Sequence, residues 1–231
     1  MLSKTELHQK YLGDTTSEGF LKEAFHFGTE FADPELEYLA KGRDNLVTSW
    51  LDINTTMQKL AKNHSLTAGE KVKTLGEYAK KRRDDALTNA DTVRERATKH
   101  QDHVNGKIQA ILRPASPYDT AICLEIRTYL RGIPEGRRYD TIAKASGDDA
   151  ILFMHAIAGA PPILSGVTEA KWKESRTGLL ALRNPALWGT EMGLHNGIAM
   201  LDKAMNRYAQ IVDDHVDFDV AAQLRSLDVQ L

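Results

Sequence analysis

Cysteine is nearly absent from this 231-residue chain. The single thiol, Cys123, excludes an intramolecular disulfide and suits a reducing compartment. Long apolar runs are missing too: nothing approaches the roughly 18 consecutive apolar residues of a membrane span. A basic surplus is lacking, since the net charge is −2, and this argues against a dedicated nucleic-acid binder. The opening "MLSKTELHQKYLGD" turns polar within four residues, so no signal peptide is expected. Strand-type alternation, internal repeats and low-complexity tracts are all wanting. The expectation is a soluble all-α protein made in the cytoplasm.

Helical patterning fills most of the length. Ser3 with Glu6 makes a capping-box pattern, and Phe20, Leu21, Phe25 and Phe27 follow, so residues 1–33 read as short docking helices. "ADPELEYLA" then opens a long helix over 34–62: Asp33 caps, Pro34 takes the first turn, and Glu35 and Glu37 favour the positive end of the dipole. Leu39, Leu46, Trp50, Ile53, Met57 and Leu60 recur at heptad spacing, with Arg43 in the remaining seam position. Thr67 and Glu70 form a second capping box ahead of a helix over 68–112, stopped by Pro114 and Pro117. Its stripe includes Val72, Leu75, Val93, Val104 and Ile108, with alanines between them that admit a close neighbour. The polar middle, "KKRRDD", reads as a solvated face whose charges cancel. The second helix outruns the first, so part of it needs cover from the C-terminal part or from another copy of the chain.

Beyond "RPASPYD" the segments shorten and the apolar fraction rises. Ser116 and Pro117 open a helix through about Arg131, a short one is expected near 137–146, and "DAILFMHAIAGA" is apolar nearly all round and so should be buried. Thr168 starts another helix, and Asn184 with Pro185 starts a last long one to about residue 216. The fold expected is a long antiparallel, coiled-coil-like hairpin over 34–113 followed by a compact helical bundle over 115–231.

Catalytic motifs are scarce. His100 and His103 stand at a spacing that zinc sites use, yet no third ligand is placed beside them, and a solvated pair is the simpler reading. "DDHVDFD", 213–219, lacks the glycine and final glutamate of an EF-hand loop and reads as a charged helix end. "EMGLH" separates Glu191 from His195 by one residue too many for a di-iron bundle, and Cys123 lies in an apolar run as a small core residue. No catalytic residue, metal site or cofactor is therefore assigned. The basic cluster Arg127, Arg131, Arg137 and Arg138 is the one candidate binding surface, for an acidic partner or a phosphate backbone. The competing reading pairs these arginines with Glu125, Glu135 and Asp140.

The segment "AILFMHAIAGAPPILSGVTEAKW" resembles helical structural proteins encoded by tailed bacteriophages, in which a buried helix, an Ala-Pro-Pro turn and a Leu-Ser-Gly connector precede another helix. The resemblance implies a virion or assembly component and transfers no functional residue. The expectation is thus a non-enzymatic structural protein, a homo-oligomer within a larger assembly. The alternative is an adaptor that binds an acidic partner or nucleic acid through the arginines.

Overall fold

The computed structural model describes residues 33–228; the short helices expected within residues 1–32 lie outside the described residues. Eight α-helices and no strand occur among the described residues. They are α1 (Pro34–Lys62), α2 (Ala68–Leu112), α3 (Pro117–Gly132), α4 (Glu135–Lys144), α5 (Gly147–Ala158), α6 (Glu169–Arg183), α7 (Pro185–His215) and α8 (Phe218–Asp228), with a 3-10 turn at Pro162–Leu164 between α5 and α6. None of them is long and apolar enough to cross a membrane.

The helix starts follow side-chain chemistry. Asp33 Oδ1 accepts the Glu35 N–H at 2.9 Å, and Pro34 sits where its missing donor costs nothing. Thr67 and Glu70 satisfy one another's backbone donors, Glu70 Oε2 taking the Thr67 N–H at 2.7 Å and Thr67 Oγ1 the Glu70 N–H at 3.2 Å. Ser116, Thr168 and Asn184 cap α3, α6 and α7 in the same manner. α4 departs from its expected span of 137–146 and begins at Glu135. Pro134, with φ preset at −57°, lies at its entrance and accepts the Arg138 N–H, so the proline starts this helix as well as ending the preceding connection. α5 also differs from expectation: Ala156, Ile157 and Ala158 are buried, whereas Ile151, Leu152, Phe153 and Met154 are only half-buried.

The chain divides into two compact units, and the division cuts across sequence order. One holds the described residues up to His100 together with those from Met192 onward; the other is Gln101–Glu191. The boundaries fall inside α2 and α7, not in the connection around Pro114 that separates the two sequence segments.

In the first unit α2 is held by α1 and by the second half of α7. Its pairs with α1 are His100–Asp33, Arg96–Glu35, Val93–Gly42, Asn89–Asn45 and Arg82–Asp52, so the two partners run in opposite senses. Arg94–Asp202 and Arg83–Asp213 give the same opposed order for α2 and α7. Small residues set the approach. Ala79, Ala86, Ala90 and Ala97 are buried along α2, and a Cβ at Gly76 would overlap that of Ala221 on α8. The second half of α7 thus supplies cover that α2 requires. The long-range ion pairs recruit Arg82 and Arg83 from the "KKRR" run, which the solvated-face reading had placed in water; Lys80 and Lys81 are exposed.

In the second unit Leu130, Ile157 and Val167 form a buried cluster, with Ile126, Ile133, Ile142, Phe153 and Trp172 packed around it. α5 lies against both α3 and α6, and the Pro162–Leu164 turn lies against α3. Arg176 grips Glu191 through two bonds, at 2.6 and 3.3 Å, tying α6 to the start of α7.

Candidate interaction surface

The four arginines singled out in the sequence have two different fates. Arg127 donates from Nε to the Ala156 carbonyl at 2.6 Å, near the end of α5. Arg138 donates to the carbonyls of Leu130 at 2.7 Å, Ile133 at 3.1 Å, and Gly166. Carbonyls in the last turn of a helix have no partner within it, and a guanidinium with five donors in a fixed fork can serve several at once. Both side chains are therefore built into the second unit. Their hydrogen-bond partners are backbone carbonyls and not Glu125, Glu135 or Asp140. Arg131 and Arg137 are exposed and make no hydrogen bond or ion pair among the described residues.

The same clamps fix the connector between α5 and α6. Trp172 donates its indole N–H to the Ala160 carbonyl at 2.9 Å, and Tyr139 accepts the Thr168 N–H at 3.2 Å. Gly166, at φ +65°, takes a left-handed conformation with Arg138 against it, leaving little room for a side chain. From this braced connector Ile163 projects with 81% of its surface in water, and Leu164 is also exposed. α3, alongside, exposes Tyr118 (74%), Leu124 (58%) and Tyr129. These side chains are large and apolar, and they sit on regular or clamped backbone.

The expected seam residues differ in burial. Leu39, Leu46, Trp50 and Ile53 are buried on α1, and Val104 and Ile108 are buried on the part of α2 that belongs to the second unit. Met57, Leu60, Val72, Leu75 and Val93 are half-buried. Polar side chains join them in the interior of the first unit. Arg43 and Ser49 are both nearly fully buried. Ser49 Oγ donates to the Arg82 carbonyl at 3.1 Å and lies 2.8 Å from the Tyr208 hydroxyl. A serine has one proton to give, so Tyr208 is the donor in the second bond. Burial raises the Tyr208 pKa, opposed by the Ser49 bond and by nearby Arg82 and Arg83. Trp50 stands edge-on to His215 with ring centres 5.0 Å apart.

The remaining candidates resolve as follows. His100 Nε2 lies 3.0 Å from Asp33 Oδ2, so it meets the cap of α1. Among the described residues no group of three or more His, Cys, Asp or Glu side chains could hold a metal ion. Cys123 is buried, and desolvation pushes its thiol pKa up, away from nucleophilic character; Arg127 pulls it down and Asp119 adds to the rise. The acidic run forms the α7–α8 turn, where Asp213–Asp219 line an open notch of about 520 Å³. Asp213 is used by Arg83, and Asp217 Oδ1 accepts the Val220 N–H at 3.0 Å. Asp214 and Asp219 are exposed and make no such contact.

Sequence reasoning missed the carbonyl-clamping role of Arg127 and Arg138 and the Ser49–Tyr208 bond. A signal for the first was present in the two prolines and the glycine around them, which leave helix-end carbonyls to be satisfied. Compared with models of protein families, with curated proteins and with solved structures, this chain has no match.

Proposed function

We propose that this chain is a non-enzymatic assembly protein that works as a homo-oligomer through helix–helix packing, as a component of a tailed-phage particle. In this reading α1 and α2 are the long antiparallel hairpin, coiled-coil-like along its seam, and the later helices supply the body. The observation that carries it is the set of large apolar side chains left in water by α3 and the adjoining turn: Tyr118 and Tyr129 on one side of the helix, Leu124 on another, and Ile163 on the turn. Exposed apolar groups scattered singly are ordinary, but several on neighbouring rigid elements mark a protein–protein contact. The opposed order of α1 and α2 contacts supports the hairpin. Resemblance of the 150–172 segment to phage structural proteins supports the setting.

The test is native mass by sedimentation over a wide concentration range. The expected result is a mass rising to a multiple of 25.8 kDa. A 25.8 kDa species at every concentration refutes the homo-oligomer. The adaptor reading now rests on Arg131 and Arg137, the two of the four clustered arginines with no side-chain partner among the described residues. It predicts nucleic-acid binding that weakens steeply with salt; absence of such binding rejects it.

A further inference from the structure

We propose that the face formed by Leu124, Arg131, Arg137, Ile163 and Leu164 is a docking site for the α7–α8 turn of a second copy of this chain. The inference rests on the homo-oligomeric reading and names the surfaces that would meet. On α3, Leu124 and Arg131 are seven residues apart, which brings them within about 20° of one another around the helix, whereas Glu125 lies about 120° away from Arg131. The turn bearing Ile163 and Leu164 packs against the same helix. Arg138, which joins Leu130, Ile133 and Gly166, brings the start of α4, and so Arg137, to the same end of the unit. Leu124, Ile163 and Leu164 are thus exposed on this helix and the turn that packs on it, and Arg131 and Arg137 have no carboxylate partner among the described residues.

Charge complementarity selects the occupant. The α7–α8 turn presents Asp214 and Asp219 unpaired beside Asp213 and Asp217, around an open notch wide enough for a guanidinium. Val220, next to them, is 40% exposed and offers an apolar contact. An arginine fork matches a carboxylate through paired donors, and burial of Leu124 and Ile163 against the turn would remove water from around the pair. The two surfaces are different parts of one chain, so the contact is head-to-tail. Such an interface continues from copy to copy until it closes as a ring or extends as a filament.

The test uses the full chain and two charge variants, Arg131→Glu/Arg137→Glu and Asp214→Asn/Asp219→Asn. The substituted side chains are exposed and unbonded, and unchanged far-UV circular dichroism verifies the fold. Sedimentation should show the wild type as an oligomer that dissociates as salt rises, and each variant alone as a monomer. An equimolar mixture of the variants should stop at a one-to-one dimer, because each retains only one of the two surfaces. A wild-type mass retained by either variant alone, or a mixture that stays monomeric, overturns the proposed surfaces while leaving the oligomer standing. A monomeric wild type removes the oligomer and this contact together.

Discussion

Removing the Ser49 hydroxyl gives a defined free-energy pattern. Tyr208 is fully buried, and its hydroxyl proton goes to Ser49 Oγ at 2.8 Å, while Ser49 gives its own proton to the Arg82 carbonyl. Ser49→Ala leaves a buried phenolic donor short of a partner, whereas the Arg82 carbonyl keeps its place in the helical ladder, and a buried unsatisfied group costs about 1–3 kcal/mol. Tyr208→Phe removes the phenolic oxygen but leaves Ser49 bonded to Arg82, so its expected cost is the net value of one bond, about 0.5–1.5 kcal/mol. In the double variant no phenol remains to be orphaned, and the Arg82 carbonyl keeps its helical bond. Its destabilisation should therefore fall below the sum of the singles by about 1 kcal/mol, the sign expected for groups that depend on one another. Urea denaturation of the four proteins measures the cycle. Strict additivity, or a neutral Ser49→Ala, would refute the proton assignment and with it the argument that this bond holds α1 and α7 in register.

Glycine supplies a paired prediction: Gly76→Ala should destabilise the chain by about 1–3 kcal/mol through overlap with Ala221, whereas Gly106→Ala, with open space around it, should stabilise by about 0.5–1 kcal/mol in thermal or urea unfolding. Arg138→Met, which orphans three carbonyls, should cost at least about 2 kcal/mol, while Arg137→Met should stay within about 0.5 kcal/mol in the same assay. Burial lowers the His155 pKa from 6.5, opposed by a Leu112 backbone bond, lowered further by Arg183, and raised by Asp119. The folded state therefore binds this proton less readily than the unfolded one. The corresponding stability is complete above about pH 6.5 and lost as pH falls toward the folded pKa. Melting followed from pH 7.5 to 5 should show this decline, and His155→Gln should flatten it.

Much of the fold could be read from the chain because its helix ends rest on local chemistry. α1 and α2 occupy the expected spans 34–62 and 68–112, with Asp33–Pro34 at one start and Thr67–Glu70 at the other. Such signals act over a few residues and need no knowledge of the distant chain. α4 begins two residues before its expected start because Pro134 stands at its entrance, and a proline can begin a helix as well as end one. The roles of the polar residues were illegible for a different reason. Tyr208 and its partner Ser49 are 159 residues apart, and neither side chain announces the other. Arg82 and Arg83 lie within a charge run that reads as solvent-facing until α1 and α7 bring Asp52 and Asp213 alongside. Arg138 could be recognised as basic, but only the folded connector shows that backbone carbonyls, and not a partner, take its donors.

The placement of the unit boundaries inside α2 and α7 has a consequence for biosynthesis. A ribosome that has just completed His100 must add every residue up to Glu191 before the first segment contributed by α7 appears. At ordinary translation rates of about 5–20 residues per second, that interval is on the order of 5–20 s. Throughout it the α7-facing side chains of α1 and α2 stand uncovered, and the whole of residues 101–191 is synthesised before the last segment of the first unit begins. The nascent chain thus has every residue of its inserted part before the unit containing its beginning is complete, and any chaperone it engages should bind in that window.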